Sequence, residues 1–142
     1  MIFVIDASVA AKWFLPDEPF SAIALELLRS ATAGGTDFMV PDLFFSECGN
    51  ILWKAVRRQR LSAEEALAAI QVIEDLQTLT VPASGLLQRT LQIARAHDRT
   101  FYDSLYIAVA VQGQTHLVTA DEKLANATAA YLPVKWLGAL AL

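Results

Sequence analysis

Four acidic residues occupy positions that simple exposure to water does not explain: Asp6, Glu47, Asp103 and Asp121. Asp6 ends the apolar run Ile2–Ile5, and Asp121 closely follows another apolar run. Carboxylates that share one site repel each other, and a hard divalent cation relieves that repulsion. An all-oxygen ligand set favours Mg²⁺ or Mn²⁺ over zinc. The residue types therefore predict a site for a hard divalent metal ion.

Three of these acids also have a purely local interpretation. Asp6 could cap a helix that begins near Ser8, since aspartate is a favoured N-cap. Asp103 stands in the first turn of a helix that Thr100 could cap, where a negative charge suits the helix dipole. The capping-box sequence Thr119–Glu122 would make the fourth acid incidental. Each cap is plausible singly, but three such coincidences together with Glu47 are harder to accept than one shared site.

Glu47 has no comparable local explanation. It lies in the apolar half of a predicted helix, and buried glutamates are rare unless they are paired. Asn50 and Lys54 follow one and two turns further along the same helical face. Glu47 is therefore the acid that most strongly favours a shared site.

Strands that alternate with helices must position these residues. Short apolar runs predict strands at 1–5, 37–40, 78–81, 116–119 and 134–137, the last at an edge of the sheet. Helices are predicted at 8–14, 20–32, 42–60, 62–76, 84–97, 102–111 and 121–129. This alternation predicts one α/β domain over 1–142, a three-layer α/β/α sandwich around a mainly parallel sheet of about five strands. Parallel strands end at a common edge, so Asp6 and Asp121 should share that edge.

Composition bounds the class of protein. The 142 residues are 55% hydrophobic with a mean hydropathy of +0.40, which is typical of a globular domain. The longest uncharged stretch, Ser104–Ala120, contains the polar run Gln112–His116, so no membrane span is predicted. No signal peptide is predicted at the start. The single cysteine, Cys48, predicts a buried apolar side chain and a reducing, cytoplasmic location.

Charge leaves two interpretations of one basic segment open. The net charge is −4, from 11 basic and 15 acidic residues, which argues mildly against a passive nucleic-acid binder. However, if four of the acids hold cations, the rest of the chain is neutral. Lys54, Arg57, Arg58 and Arg60 end the third predicted helix, either as a solvated face that complements the helix dipole or as a phosphate contact.

Four segments in succession resemble the motifs of PIN-domain ribonucleases: Asp6-Ala-Ser8, Glu47-Cys-Gly-Asn50, Tyr102–Ala108 and Thr119–Leu124. In length and spacing nearly the whole chain is similar to the VapC toxins of type II toxin–antitoxin modules. Ser104 stands where this family often has alanine, a departure that leaves the acids intact.

The resemblance implies a function and a set of roles. Asp6, Glu47, Asp103 and Asp121 would be the catalytic, metal-binding residues, with Mg²⁺ as cofactor and Mn²⁺ as a substitute. Ser8, Asn50 and Thr119 would be supporting polar residues. The reaction would be hydrolysis of RNA phosphodiester bonds, leaving a 5′-phosphate and a 3′-hydroxyl. The partners would be RNA, a cognate antitoxin and a second copy of the chain in a homodimer, with no membrane.

Three other functions stay open at this stage. One is a PIN nuclease of RNA processing or decay without an antitoxin, which the absence of a neighbouring antitoxin gene would indicate. Another is a non-catalytic PIN-like binding module. A haloacid-dehalogenase-like phosphatase would also begin from a strand-end aspartate, but that class needs a second aspartate where this chain has Ser8.

An apolar segment near the first helix suggests where a partner could bind. Trp13, Phe14 and Leu15 crowd a short helix and its end. Aromatic residues beside a first helix often pack inward, but an exposed group of this kind would mark an interface. By resemblance to VapC proteins, the apolar helix of an antitoxin would bind there.

Overall fold

The computed structural model describes residues 1–142, in which five strands form a single sheet. The strands are β1 (Ile2–Ile5), β2 (Asp37–Pro41), β3 (Thr78–Val81), β4 (His116–Thr119) and β5 (Val134–Trp136). Their order is β3-β2-β1-β4-β5, and every neighbouring pair is parallel. The sheet is therefore fully parallel, and β5 is an edge strand as predicted.

Seven helices connect these strands. They are α1 (Ala7–Phe14), α2 (Ser21–Thr32), α3 (Leu43–Arg57), α4 (Ala63–Asp75), α5 (Leu87–His97), α6 (Phe101–Gln112) and α7 (Glu122–Thr128). Right-handed crossovers place α1 to α4 on one face, because β1 to β3 step in one direction along the sheet. The step from β3 back to β4 puts α5 and α6 on the other face. The result is the predicted three-layer α/β/α sandwich.

The core lies where β1 and β4 meet α6. Val4, Ile5 and Leu117 are completely buried, as expected for strands covered on both faces. Helix α6 is buried from Ser104 to Ala110, which confirms the prediction of a helix that is apolar almost all round. Both strands end in this core, so the residues that follow them are held by rigid elements.

Two helix boundaries differ from the predicted ones. Helix α3 ends at Arg57, not at residue 60, because Gln59 adopts a left-handed conformation with φ 60°. Arg60 consequently lies beyond the helix, where it pairs with Asp17 and Glu18. The helix predicted over 84–97 is divided: a 3-10 turn over Ala83–Gly85 precedes α5. The other boundaries agree within two residues.

The first helix is less exposed than predicted. Trp13 and Leu15 are 6% and 5% exposed, so the prediction that they offer an open surface to a partner is wrong. The Trp13 ring stacks on Phe38 at 5.9 Å, and its Nε1 donates a hydrogen bond to the Ala24 carbonyl at 3.0 Å. Only Phe14 remains partly exposed. The helix turns inward because α1 packs between α2 and α3.

Two compositional predictions can also be compared with the structure. Cys48 is buried, and burial, together with the charges of Glu47 and Asp6, raises the pKa of its thiol to about 12. None of the helices combines the length and the hydropathy that crossing a membrane requires.

Candidate active site

Asp6 is fixed by the turn that joins β1 to α1. Its Oδ1 accepts hydrogen bonds from the backbone N–H groups of Ser8 at 3.1 Å and Val9 at 3.3 Å, so it is the N-cap of α1. The Ser8 hydroxyl donates to the same oxygen. Asp6 is only 7% exposed. The predicted cap is therefore present, and it aims a buried carboxylate along the carboxyl edge of the sheet.

Ser8 and Thr119 brace this edge across two strands. The Ser8 Oγ accepts a hydrogen bond from the Ala120 N–H at 3.1 Å, which ties the end of β4 to the start of α1. Thr119 Oγ1 accepts from the Asp121 N–H at 3.1 Å. Asp121 itself caps α7, because its Oδ1 accepts from the Leu124 N–H at 3.1 Å. The cap is thus Asp121, not Thr119 as the capping-box sequence predicted.

Asp103 enters the site from the opposite layer, at the first turn of α6. Thr100 caps this helix, since its hydroxyl accepts from the Asp103 N–H at 3.1 Å. The cap sets where α6 begins and hence where the carboxylate stands. Asp103 is half-buried, and the helix N-terminus favours its negative charge.

Glu47 comes from the middle of α3 and meets α6. The Tyr106 hydroxyl donates a hydrogen bond to Glu47 Oε1 at 2.6 Å. Burial, this hydrogen bond and the charge of Glu47 all raise the pKa of Tyr106. The phenol therefore stays protonated and holds one carboxylate oxygen. Sequence reasoning missed Tyr106, although its position one turn after Asp103 places both side chains on one face of α6.

The acids are electrostatically linked. Burial raises the pKa of Asp6 to about 6, against hydrogen bonds from Ser8, Thr119 and Val9, and the charge of Asp103 adds to the rise. Burial also raises the pKa of Asp103, and the charge of Asp121 contributes. The charge of Arg99 lowers the pKa of Asp103 and so offsets part of this rise. None of the four acids takes part in an ion pair. Negative charge is thus concentrated here without a directly paired protein cation.

The donors suit a hard divalent ion in chemistry. The acids of this edge present only oxygen and form no ion pair with the protein, which suits Mg²⁺ and Mn²⁺. No three acidic, histidine or cysteine side chains lie together at metal-ligating spacing in this structure. Binding of a metal ion would therefore require side-chain rotations at the outer edge of the site, where Asp121 is exposed.

Comparison with known proteins identifies the family. Residues 3–130 match the PIN domain. Ribonuclease VapC1 of Mycobacterium tuberculosis is 34% identical over 126 residues, which cover 87% of this chain and 89% of the relative. The chain belongs to the PIN-domain VapC ribonuclease family. Ribonuclease VapC3 of Pyrobaculum aerophilum is 31% identical over 128 residues, covering 89% of this chain and 94% of the relative.

Two solved structures share the fold. PAE2754 from Pyrobaculum aerophilum superposes with a TM-score of 0.69 at 24% identity, over 97% of this chain and 85% of that chain. VapC20 of Mycobacterium tuberculosis, a sarcin–ricin loop cleaving toxin, gives a TM-score of 0.63 at 20% identity, over 93% of this chain and 96% of that chain. The α/β sandwich described above is thus the PIN architecture, and the protein is a nuclease by family.

The predicted supporting residues divide into two groups. Ser8 and Thr119 hydrogen-bond with atoms of the carboxylate edge. Asn50 is exposed, one turn beyond Glu47 on α3, and a supporting role for it stays a prediction. Lys12 was not predicted at all; it is 9% exposed and lines a cleft beside Ser8. Its i, i+4 spacing from Ser8 on α1 could have indicated it.

Proposed function

We propose that this protein is a Mg²⁺- or Mn²⁺-dependent endoribonuclease and the toxin of a toxin–antitoxin pair. The observation that carries the proposal is the set of carboxylates without ion-pair partners at the carboxyl edge of the sheet. Asp6, Asp103 and Asp121 are electrostatically linked in series, and Glu47 reaches the same region through Tyr106. The family relationship favours RNA as the substrate.

In this proposal Asp6, Asp103, Asp121 and Glu47 hold the cation. When bound, Mg²⁺ or Mn²⁺ supplies Lewis-acid chemistry: it lowers the pKa of water and offsets charge that develops on phosphate oxygens. The chain positions the carboxylates. The cap of α1 and the Ser8 hydroxyl fix one Asp6 oxygen, and Tyr106 fixes one Glu47 oxygen.

The antitoxin and the homodimer belong to the same proposal. VapBC2 from Rickettsia felis, solved bound to a promoter DNA fragment, shares the fold with a TM-score of 0.67 at 13% identity, over 96% of this chain and 98% of that chain. By analogy, a small DNA-binding protein encoded beside this chain would be its antitoxin. A PIN nuclease without an antitoxin is the alternative, and the neighbouring gene distinguishes the two.

The test is cleavage of end-labelled structured and unstructured RNAs with Mg²⁺, Mn²⁺ or EDTA. We expect products with 5′-phosphates and 3′-hydroxyls, and loss of cleavage in EDTA. Asp103→Asn should lower the cleavage rate by orders of magnitude, because it removes a ligand charge but keeps the shape. Asp37→Asn is the matched control, since Asp37 is exposed at the opposite end of β2.

A second readout does not depend on activity. Because a cation that binds only the folded state stabilises it by mass action, Mn²⁺ should raise the melting temperature of the wild type and of Asp37→Asn. The double variant Asp6→Ala/Asp103→Ala should show no such rise. Full cleavage in EDTA, or an equal Mn²⁺ shift in the double variant, would contradict the proposal.

A further inference from the structure

A cleft of about 360 Å³ opens beside the carboxylates, between α1 and α3. Ser8, Ala120 and Asp121 line it, which places one of its walls at the carboxyl edge of the sheet. Its basic lining residues are Lys12, Lys54, Arg58 and Arg60. A negatively charged ligand could therefore reach the carboxylate edge and still be balanced by cations.

A second groove continues the first one. It has a volume of about 290 Å³ and is lined only by Lys54, Arg57 and Arg58. Because both concavities share Lys54 and Arg58, they form one basic path along the end of α3. This path runs against the overall charge of −4, so it is a local concentration and not a reflection of bulk composition.

The basic side chains of this path differ in whether acidic residues of the protein already neutralise them. Arg60 donates to Glu18 Oε1 at 2.9 Å and to both Asp17 oxygens at 3.1 Å, so it is neutralised. Lys12 lies 3.8 Å from Glu18, a loose contact for a largely buried ammonium group. Lys54, Arg57 and Arg58 make no ion pair. The free charge thus lies on α3.

Helix α3 links the free cations to the carboxylates. Glu47 and Lys54 are two turns apart, and Arg58 follows the end of the helix four residues later. At 1.5 Å per residue, Glu47 and Arg58 are separated by about 16 Å along one face. A chain of phosphates that leaves the carboxylate edge along this face meets Lys54 first and Arg58 next.

We propose that this basic path binds the sugar–phosphate backbone of the RNA to one side of the scissile bond. Lys54 and Arg58 contact successive phosphates, and Lys12 contacts the phosphate on the α1 side of the cleft. These contacts set the position of the strand and do not read its sequence. The assignment rests on the proposed ribonuclease function, whose substrate it orients.

The experiment measures RNA binding directly, in the Asp103→Asn background with Mg²⁺ so that the RNA stays intact. Fluorescence anisotropy of a short labelled poly-uridine RNA gives the Kd across a salt series. Lys54→Gln/Arg58→Gln should raise the Kd about tenfold at low salt and reduce the slope of log K against log salt by about 1.4, because each lost phosphate contact removes about 0.7.

Two control variants distinguish binding in this cleft from a general effect of the protein's charge on RNA binding. Arg89→Gln/Arg95→Gln makes the same charge change on α5, on the other face of the sheet, at two exposed residues, and should leave the Kd unchanged. Lys54→Arg/Arg58→Lys keeps the charge and should restore binding. In cleavage assays with an intact Asp103, Lys54→Gln/Arg58→Gln should raise KM and leave kcat unchanged, which is the signature of lost substrate binding.

The outcomes separate the two proposals. The cleft assignment would be overturned if Arg89→Gln/Arg95→Gln weakened RNA binding as much as Lys54→Gln/Arg58→Gln, or if Lys54→Gln/Arg58→Gln did not weaken it. Neither result would contradict RNA cleavage by the wild type. Tighter binding of a poly-glutamate peptide than of RNA, with the same dependence on Lys54 and Arg58, would assign the cleft to an acidic protein segment instead. RNA that is bound through this path but never cleaved would support the cleft and refute the nuclease proposal.

Discussion

At the scale of single residues, the site is built from helix caps. Asp6 caps α1, Thr100 caps α6 and Asp121 caps α7. A capping side chain can adopt few rotamers, because its oxygen must accept hydrogen bonds from backbone N–H groups of the first helical turn. The local and the functional interpretations of these acids are therefore compatible: the cap is what makes each carboxylate precise.

Tyr106 is the residue whose role is easiest to isolate. Its only side-chain hydrogen bond goes to Glu47, so Tyr106→Phe removes that bond and preserves the ring in the core. Groups that orient a metal ligand typically contribute 10–100-fold to metal affinity or activity. We expect the Mg²⁺ concentration for half-maximal cleavage to rise about tenfold, and the Mn²⁺-induced rise in melting temperature to shrink.

The control for this prediction is Tyr131→Phe, at a tyrosine that is 81% exposed. That variant should match the wild type in both assays. If Tyr106→Phe alters stability but neither metal response, Tyr106 is a core residue only, and Glu47 does not depend on it.

At the scale of elements, α1 has two tasks on two faces. One face carries Ser8 and Lys12 along the cleft, and the other buries Trp13 against Phe38. Because the buried face locks the helix onto the sheet, the cleft face is held in place. This division explains why Trp13 belongs to the core and does not offer a surface to a partner.

Trp13→Ala should therefore act on stability. Removal of a buried tryptophan costs about 3–5 kcal/mol of unfolding free energy, through lost burial and the cavity that remains. We expect urea denaturation to show a loss of this size. Trp13→Phe should lose less, because it can keep the ring packing on Phe38 while giving up the hydrogen bond to Ala24.

Trp53 supplies the matched control, since it is 58% exposed on α3. Trp53→Ala removes the same side chain and should cost less than about 1 kcal/mol. A small loss for Trp13→Ala would mean that the segment is not packed as described, and would reopen it as a binding surface.

At the scale of the whole molecule, the apo protein carries an electrostatic cost at neutral pH. Asp6 has a pKa of about 6 when folded, against its ordinary value of 3.8. Between these two values the folded state holds a proton that the unfolded state releases. Stability consequently falls as pH rises through this window, and a shift of this size corresponds to about 3 kcal/mol. The raised pKa of Asp103 acts in the same direction.

We expect the unfolding free energy of the metal-free protein, measured by urea denaturation in EDTA, to decrease from pH 4 to pH 7.5, with most of the decrease below about pH 6.5. Asp6→Asn keeps an oxygen for the α1 cap but carries no charge, so it should flatten most of this slope and be more stable than the wild type at pH 7.5. The raised pKa of Asp6 would be refuted if the stability of the wild type rose over this pH range, or if Asp6→Asn showed the same pH dependence as the wild type.

The sequence by itself determined most of the architecture and the identity of the acids. The short segments Ile2–Ile5 and His116–Thr119 were predicted as parallel strands from their sequence pattern, and both are, which places Asp6 and Asp121 at the same end of the sheet. The turn after α2 is equally local: Gly34 has φ 78°, a conformation that glycine adopts without strain. Such features depend on short-range sterics and periodicity, which the sequence displays directly.

Other features were decided only by tertiary structure. The contact between Tyr106 and Glu47 joins residues 59 positions apart, and the pairing of Arg60 with Asp17 and Glu18 joins the segment after α3 to the loop after α1. Trp13 could pack inward or outward on the same helical pattern, and the packing of α1 between α2 and α3 chose the inward face. The basic path exists because that packing sets Lys12 opposite Lys54. These outcomes depend on which faces of separate helices meet, a relation that no local pattern in the chain encodes.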